Sequence, residues 1–188
     1  MASMPAVTHA ESSKISMRRW LLIVSLVGLA ACAGMVIPGM SAVATLEPTK
    51  GNNAGGSVTF NPAGGGKVNV SVKLTGLTPG GHGFHIHEKG DCSSGDGMSA
   101  GEHFNPTGKR HGNPLLPDHH AGDMPMVVAD GSGNASLTAT LEGITIGGGG
   151  ATDIVGKSVI VHKDPDDYTT QPTGNSGARV ACGVIRKS

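Results

Sequence analysis

The chain has 188 residues with 14 basic and 14 acidic side chains, so its formal charge at pH 7 is zero. That balance, with no basic cluster and no interleaved aromatics, excludes a nucleic-acid-binding surface. The length suits one domain around one core, and 31 glycines beside only 3% aromatic residues point to many turns and little helix.

Arg18, Arg19 and Trp20 precede LLIVSLVGLAA, a basic stretch and then an apolar stretch of about eleven residues, too short for a membrane span and suited to a signal peptide. The signal is expected over residues 1–31, with Met17 as an alternative start, so the protein is expected to be exported. Two processing sites compete. LAAC at 29–32 resembles a bacterial lipobox and would leave a lipidated Cys32; AVA at 42–44 resembles an ordinary signal-peptidase site and would leave Thr45 as the new terminus. The lipobox is preferred because it abuts the apolar stretch. It predicts a protein on the periplasmic side of a cell envelope, joined to the membrane only by a lipid anchor; cleavage after Ala44 predicts a soluble periplasmic form. Residues 32–46 are expected to be a flexible tether, and 47–188 the folded domain.

Beyond the leader the chain reads as strands separated by turns. Over 67–75 (KVNVSVKLT), Val68, Val70, Val72 and Leu74 fall on one face and polar residues on the other, an unbroken period of two. Residues 135–141 alternate in the same way after the turn ADGSGN, and further strands are expected at 43–49, 56–61, 82–88, 125–129, 157–162 and 180–186. Eight short strands without an amphipathic helix predict an all-β, antiparallel sandwich or barrel. Two long segments without strand character remain, 89–123 and 163–178, and loops of that length inside a compact domain usually serve a function. Gly147 to Gly150 are expected to form a turn; no Gly-Lys-Ser/Thr follows to make a phosphate loop.

Chemistry concentrates in histidines. His85 and His87 in GFHIHE would share one strand face, opposite Phe84 and Ile86. His103, His111, His120 and Asp123 follow with seven, eight and two intervening residues, and His162 closes the apolar run SVIVH. Imidazole suits copper and zinc, and a carboxylate among imidazoles suits zinc more than copper. Seven candidate ligands exceed one tetrahedral site and fit two adjacent ions if one imidazole uses both ring nitrogens. His82 cannot share a strand face with His85 and is expected to be a hydrogen-bonded structural residue; of the pair at 119 and 120, His120 keeps the spacing to Asp123. Cys92 and Cys182 lie in the globular part of an exported chain, where a disulfide is the expected state.

Taken in order, GFHIHEKGDC, SAGEHFNP, RHGNP, HHAGD, VIVHKDPDD and GNSGARVACGVI resemble the successive motifs of the copper,zinc superoxide dismutase family. The resemblance spans most of residues 47–186 and implies an eight-stranded Greek-key barrel with two functional loops. It implies copper on His85, His87 and His162, zinc on His111, His120 and Asp123, and His103 bridging the two ions. Asp166 would link His85 to His111, and Arg179 would attract anionic superoxide. Cys92 and Cys182 would form the disulfide that tethers the zinc-ligand loop. The implied reaction is dismutation of superoxide to oxygen and hydrogen peroxide, and the implied assembly is a homodimer. Cys92 directly follows Gly-Asp, as in bacterial members. The 163–178 loop is shorter than in eukaryotic members and carries Tyr168, Thr169, Thr170, Gln171 and Pro172 in place of their Glu and Lys cluster, which leaves Arg179 with Lys163, Lys109 or Arg110 to supply local positive charge. Metal buffering without catalysis, or a purely structural zinc site, are the alternative readings of the ligand set.

Overall fold

The computed structural model describes residues 40–188. The expected signal over 1–31 and the expected lipidation site Cys32 lie outside the described residues. Among the described residues there are nine antiparallel strands: β1 Ala42–Pro48, β2 Gly55–Gly64, β3 Lys67–Thr75, β4 Gly80–His82, β5 Phe84–His87, β6 Val127–Ala129, β7 Ala135–Leu141, β8 Ser158–His162 and β9 Arg179–Lys187. One 3-10 turn, Met98–Ala100, accompanies them among the described residues.

The strand order is β4-β6-β7-β3-β2-β1-β9-β8-β5. Both edge strands, β4 and β5, are consecutive in the chain with only Gly83 between them, so the sheet wraps round into a barrel. Here the expected single strand over 82–88 divides. Gly83 donates to the carbonyl of Asp164 and accepts from the amide of His162, both at 2.8 Å, and a Cβ at this position would run into the Ser176 side chain. The backbone therefore changes sheets at the one residue small enough to allow the contact, and eight expected strands become nine.

Alternation in β3 is complete, its apolar positions buried and its polar positions exposed. Its inward residues meet Phe60, Val58 and Leu137 of β2 and β7 across registers such as Val70↔Phe60 and Val72↔Leu137. Each fully buried Val, Ile or Phe stabilises the fold by about 1.5–3 kcal/mol, and one continuous core runs through the barrel. β1 corrects the expected tether over 32–46: its pairing begins at Ala42, opposite Phe60 on one side and Lys187 on the other, and Ala42 and Ala44 are fully buried.

β5 and β8 are covered on both faces along their whole length. Phe84, Ile86, Val159 and Val161 point into the core. His85, His87, Ile160 and His162 occupy the opposite face, beneath the segments 88–126 and 163–178 that connect β5 to β6 and β8 to β9. These are the two long loops expected from the sequence. They turn the outside of the barrel wall into a second, polar interior.

Candidate metal centre

Strand pairing sets the first part of the site. His85 lies opposite Ile160 in the β5–β8 register, and an irregularity between Val161 and His162 brings His162 to the end of the same face. Loop residues are fastened to this wall by a triangle of backbone hydrogen bonds, each 2.8 Å long: Ile86 N–H to Gly122 O, Gly122 N–H to Phe104 O, and Phe104 N–H to Ile86 O. His103 and Asp123 are the immediate neighbours of two of its corners, so three distant chain segments converge. A Cβ on Gly122 would meet Ile86 O and Phe104, which makes glycine necessary at that corner. This triangle had no signal in the sequence beyond the Gly of HHAGD.

One nitrogen from each of His85, His87, His103 and His162 lies within 4.8 Å of the other three. The remaining nitrogen of each ring is committed. His85 Nε2–H donates to Asp166 Oδ2 at 2.6 Å, His87 Nδ1–H to Gly101 O at 2.9 Å, and His162 Nδ1–H to Gly177 O at 3.1 Å. His103 Nδ1 sits 3.0 Å from Asp123 Oδ1. Fixed in this way, the rings leave four buried nitrogens without any partner: His85 Nδ1, His87 Nε2, His103 Nε2 and His162 Nε2. A buried polar atom left unpaired costs about 1–3 kcal/mol, and four lone pairs aimed at one point ask for a cation. Copper, which prefers imidazole, fits this donor set.

The neighbouring cluster is centred on Asp123. Its Oδ1 is 3.0 Å from His103 Nδ1, 3.0 Å from His111 Nδ1 and 3.4 Å from His120 Nδ1, and the last is 3.4 Å from His103 Nδ1. A tetrahedral ion with ligands at about 2.0 Å has ligand–ligand edges of about 3.3 Å, so these spacings suit three nitrogens and one oxygen around zinc. By proximity alone His85 also groups with His103, His111 and Asp123. Its Nε2 is occupied by Asp166 while its Nδ1 belongs to the first quartet, so His120 is the better fourth donor. Asp166 ties the two clusters together, accepting from His85 Nε2 and, at 2.9 Å, from His111 Nε2.

Electrostatics agree with this division. Burial pushes His85 below its ordinary pKa despite Asp166, and drives His87 and His162 well below theirs. Burial lowers His103 to about 4. These rings are neutral at pH 7, the form that binds metal. For His111 burial acts downward too, but Asp123 and Asp166 on either side overcome it and hold the ring up at about 9. Burial would raise both carboxyls, yet their histidine partners keep Asp123 and Asp166 well below the usual range. This half of the site is built around positive charge.

Arg179, at the start of β9, is buried. Its Nη1 donates to Gly97 O at 2.8 Å and its Nη2 to Gly101 O at 2.7 Å. Gly101 O thus receives both the arginine and His87, and the guanidinium charge bears on His87 and His162. Of its five N–H donors these bonds leave three unengaged. Three residues further on, Cys182 is bonded to Cys92, as expected, and the pair packs against Ala100 and Ile160 beneath the first turn of the 88–126 loop.

Other expectations resolve plainly. His82 is buried, with Nδ1 2.8 Å from His162 O and Nε2 2.8 Å from Thr78 O, a structural role. His119 donates its Nδ1–H to His120 O at 2.6 Å and stays outside both clusters. Lys109, Arg110 and Lys163 are exposed, and Lys109 spends its ammonium on Pro117 O at 2.6 Å. Gly147 to Gly150 form a turn held by Asp153, which accepts from the amides of Gly147 and Gly149.

Comparison with known proteins agrees with the site. Residues 54–185 match the family described as "Copper/zinc superoxide dismutase (SODC)". A curated relative, "Superoxide dismutase [Cu-Zn] 2" of Brassica juncea, is 42% identical over 149 residues, covering 76% of this chain and 95% of that protein. The solved structure titled "Crystal Structure Analysis of the clock protein EA4" superposes with a TM-score of 0.72 at 40% identity, covering 80% of this chain and 96% of that one. With its donor sets, barrel and disulfide in place, the chain belongs to the copper/zinc superoxide dismutase family, enzymes that use copper and zinc to dismutate superoxide.

Proposed function

We propose that His85, His87, His103 and His162 would hold copper and that His103, His111, His120 and Asp123 would hold zinc, with His103 contributing to both sets. The observation that carries this reading is the set of four buried, unpartnered nitrogens converging beside the Asp123 cluster. When bound, copper supplies a one-electron couple, while zinc, which has no redox chemistry, contributes fixed charge and geometry.

The protein's own groups divide the remaining work. Arg179 attracts and orients superoxide with the donors that Gly97 and Gly101 leave free, and its desolvated guanidinium acts more strongly there than it would in water. Gly101 O couples that placement to the ring orientation of His87. Asp166 fixes the tautomers of His85 and His111, and such outer hydrogen bonds govern ligand basicity. Turning two superoxide ions into oxygen and hydrogen peroxide consumes two protons. His103 Nε2 could carry one of them near the substrate only while it is free of the ion, the ring being held meanwhile from the far side at Nδ1. Burial of the whole cluster keeps bulk water from the ligand face. The test is a dismutation assay on purified protein before and after loading with copper and zinc; activity that appears only with both metals is expected, and none in fully loaded protein contradicts the reading.

Export to the periplasm with a lipid on Cys32 is the location favoured. Support comes from β1. A cut after Ala44 would remove Ala42, Val43 and Ala44, which pair with Phe60, Thr59 and Val58 on one side and Lys187, Arg186 and Ile185 on the other. Losing two core alanines and half a central strand would expose the β2 and β9 edges, so processing upstream of Ser41 suits the fold. Mass spectrometry of the mature terminus decides: a diacylglyceryl Cys32 is expected, and an unmodified Thr45 contradicts it.

A further inference from the structure

His111 lies midway along the 88–126 loop, in no strand. Its main-chain groups nevertheless have partners, both from one exposed side chain of the other loop. His111 N–H donates to Gln171 Oε1 at 2.9 Å, and Gln171 Nε2–H donates to His111 O at 2.8 Å. The primary amide thus copies the pairing that a neighbouring β-strand would offer, and among the described residues neither main-chain group of His111 has another partner.

The turn that presents Gln171 is braced from within. Asp167 accepts from the amides of Thr169 and Thr170 and, at 2.6 Å, from the Thr170 hydroxyl. Asp167 N–H reaches Gly174 O at 2.9 Å, and Gly174 N–H reaches Thr170 O at 2.7 Å. Gly174, with φ +65°, lies so close to the His111–Asp166 pair that a Cβ there would strike Asp166 Oδ1 and His111 Nε2. A preorganised group loses little conformational freedom when it engages, so this bracing lowers the cost of holding the Gln171 amide against His111.

From these contacts we infer that Gln171 is a positioning residue for zinc: it holds the His111 main chain so that Nδ1 faces Asp123, while Asp166 orients the ring from Nε2. This rests on the zinc assignment made above. It gives the 163–178 loop a mechanical role in the half-site where the sequence lacks the charged cluster that would have suggested a steering role. Tyr168, whose hydroxyl accepts from Met126 N–H at 3.0 Å, ties the same loop to the chain just beyond Asp123 without touching His111, and so serves as the control.

The experiment measures zinc affinity of the full chain by competition with a chromophoric chelator, in wild type, Gln171→Met and Tyr168→Phe, alongside melting of the metal-free proteins and hydrogen exchange at the His111 amide. Gln171→Met keeps the side-chain length and removes both hydrogen bonds to His111, together with the 3.2 Å one that Nε2 donates to Thr169 O within the turn. Expected are zinc binding weakened at least about tenfold, the scale seen when an outer partner of a metal ligand is removed, faster exchange at His111, an unshifted metal-free melting temperature, and Tyr168→Phe within about twofold of wild type. Unchanged affinity in Gln171→Met overturns the inference, as does equal weakening in Tyr168→Phe or a loss of metal-free stability that accounts for the whole effect. Should Gln171→Met fail to fold, Gln171→Glu, which keeps the acceptor for His111 N–H, must still bind zinc several-fold more weakly than wild type or the inference falls. A wild-type chain that binds no zinc overturns the zinc assignment itself.

Discussion

The two halves of the metal centre are built by different means. Three of the four donors in the first quartet, His85, His87 and His162, stand on β5 and β8, paired strands with a packed core behind them. In the second, His111, His120 and Asp123 all belong to one long loop and rely on hydrogen bonds from elsewhere. A sheet can hold donors at fixed spacing before any ion arrives. A loop can be shaped by the ion it receives, which suits one whose work is structural. His103 belongs to both sets, and the Ile86–Gly122–Phe104 triangle is where the loop is bolted to the wall.

The sharpest way to break this contrast is to remove the shared ring. His103→Ala is expected to cost on the order of 10²–10⁴-fold in dismutation, the range for losing a positioned proton carrier, and to weaken zinc binding as well; a loss confined to zinc would mean that His103 serves only the loop half. Next comes Asp166→Asn, which disturbs both His111 and His85 through their Nε2 atoms, but His85 keeps its place in the paired strands while His111 has only its loop. Zinc affinity should fall about 10–100-fold, measured by chelator competition, with a smaller change at copper; equal losses at both would erase the distinction between the halves.

Stripping both metals should separate the regions directly. Amide exchange is expected to accelerate across 103–123 and 163–178 while β5 and β8 stay protected, as strand hydrogen bonds open only with larger unfolding. Uniform protection would show that the loops stand without the ion. The smallest effect lies far from either half: Asp153→Ala removes the acceptor for the Gly147, Gly149 and Val155 amides and should cost about 1 kcal/mol, roughly 2–4 °C in melting temperature, with dismutation unchanged.

The residues of the candidate site were legible because metal chemistry uses few residue types, and His85, His87, His103, His111, His120, Asp123 and His162 stand out in a chain with nine histidines. Strands with one solvent face, such as β3, announce themselves by alternation. The break at Gly83 did not, since its cause is the approach of Ser176 from ninety-three positions away. The start of β1 was legible to within one residue in the strand expected at 43–49, although the tether drawn over 32–46 overlapped it because Ala42 and Ala44 are too small and common to mark a buried strand. Gln171 carried no signal either: a lone amide on a loop becomes meaningful only when His111 is found within its reach. Local pattern and ligand chemistry are written along the chain, whereas contacts between distant loops are not.

The most direct test is a crystal structure of the chain loaded with copper and zinc, with anomalous differences collected at the absorption edges of both metals. The copper signal is expected among His85 Nδ1 and the Nε2 atoms of His87, His103 and His162, with zinc beside Asp123 on the far side of the His103 ring. One metal at both positions, or signals away from these nitrogens, would contradict the account.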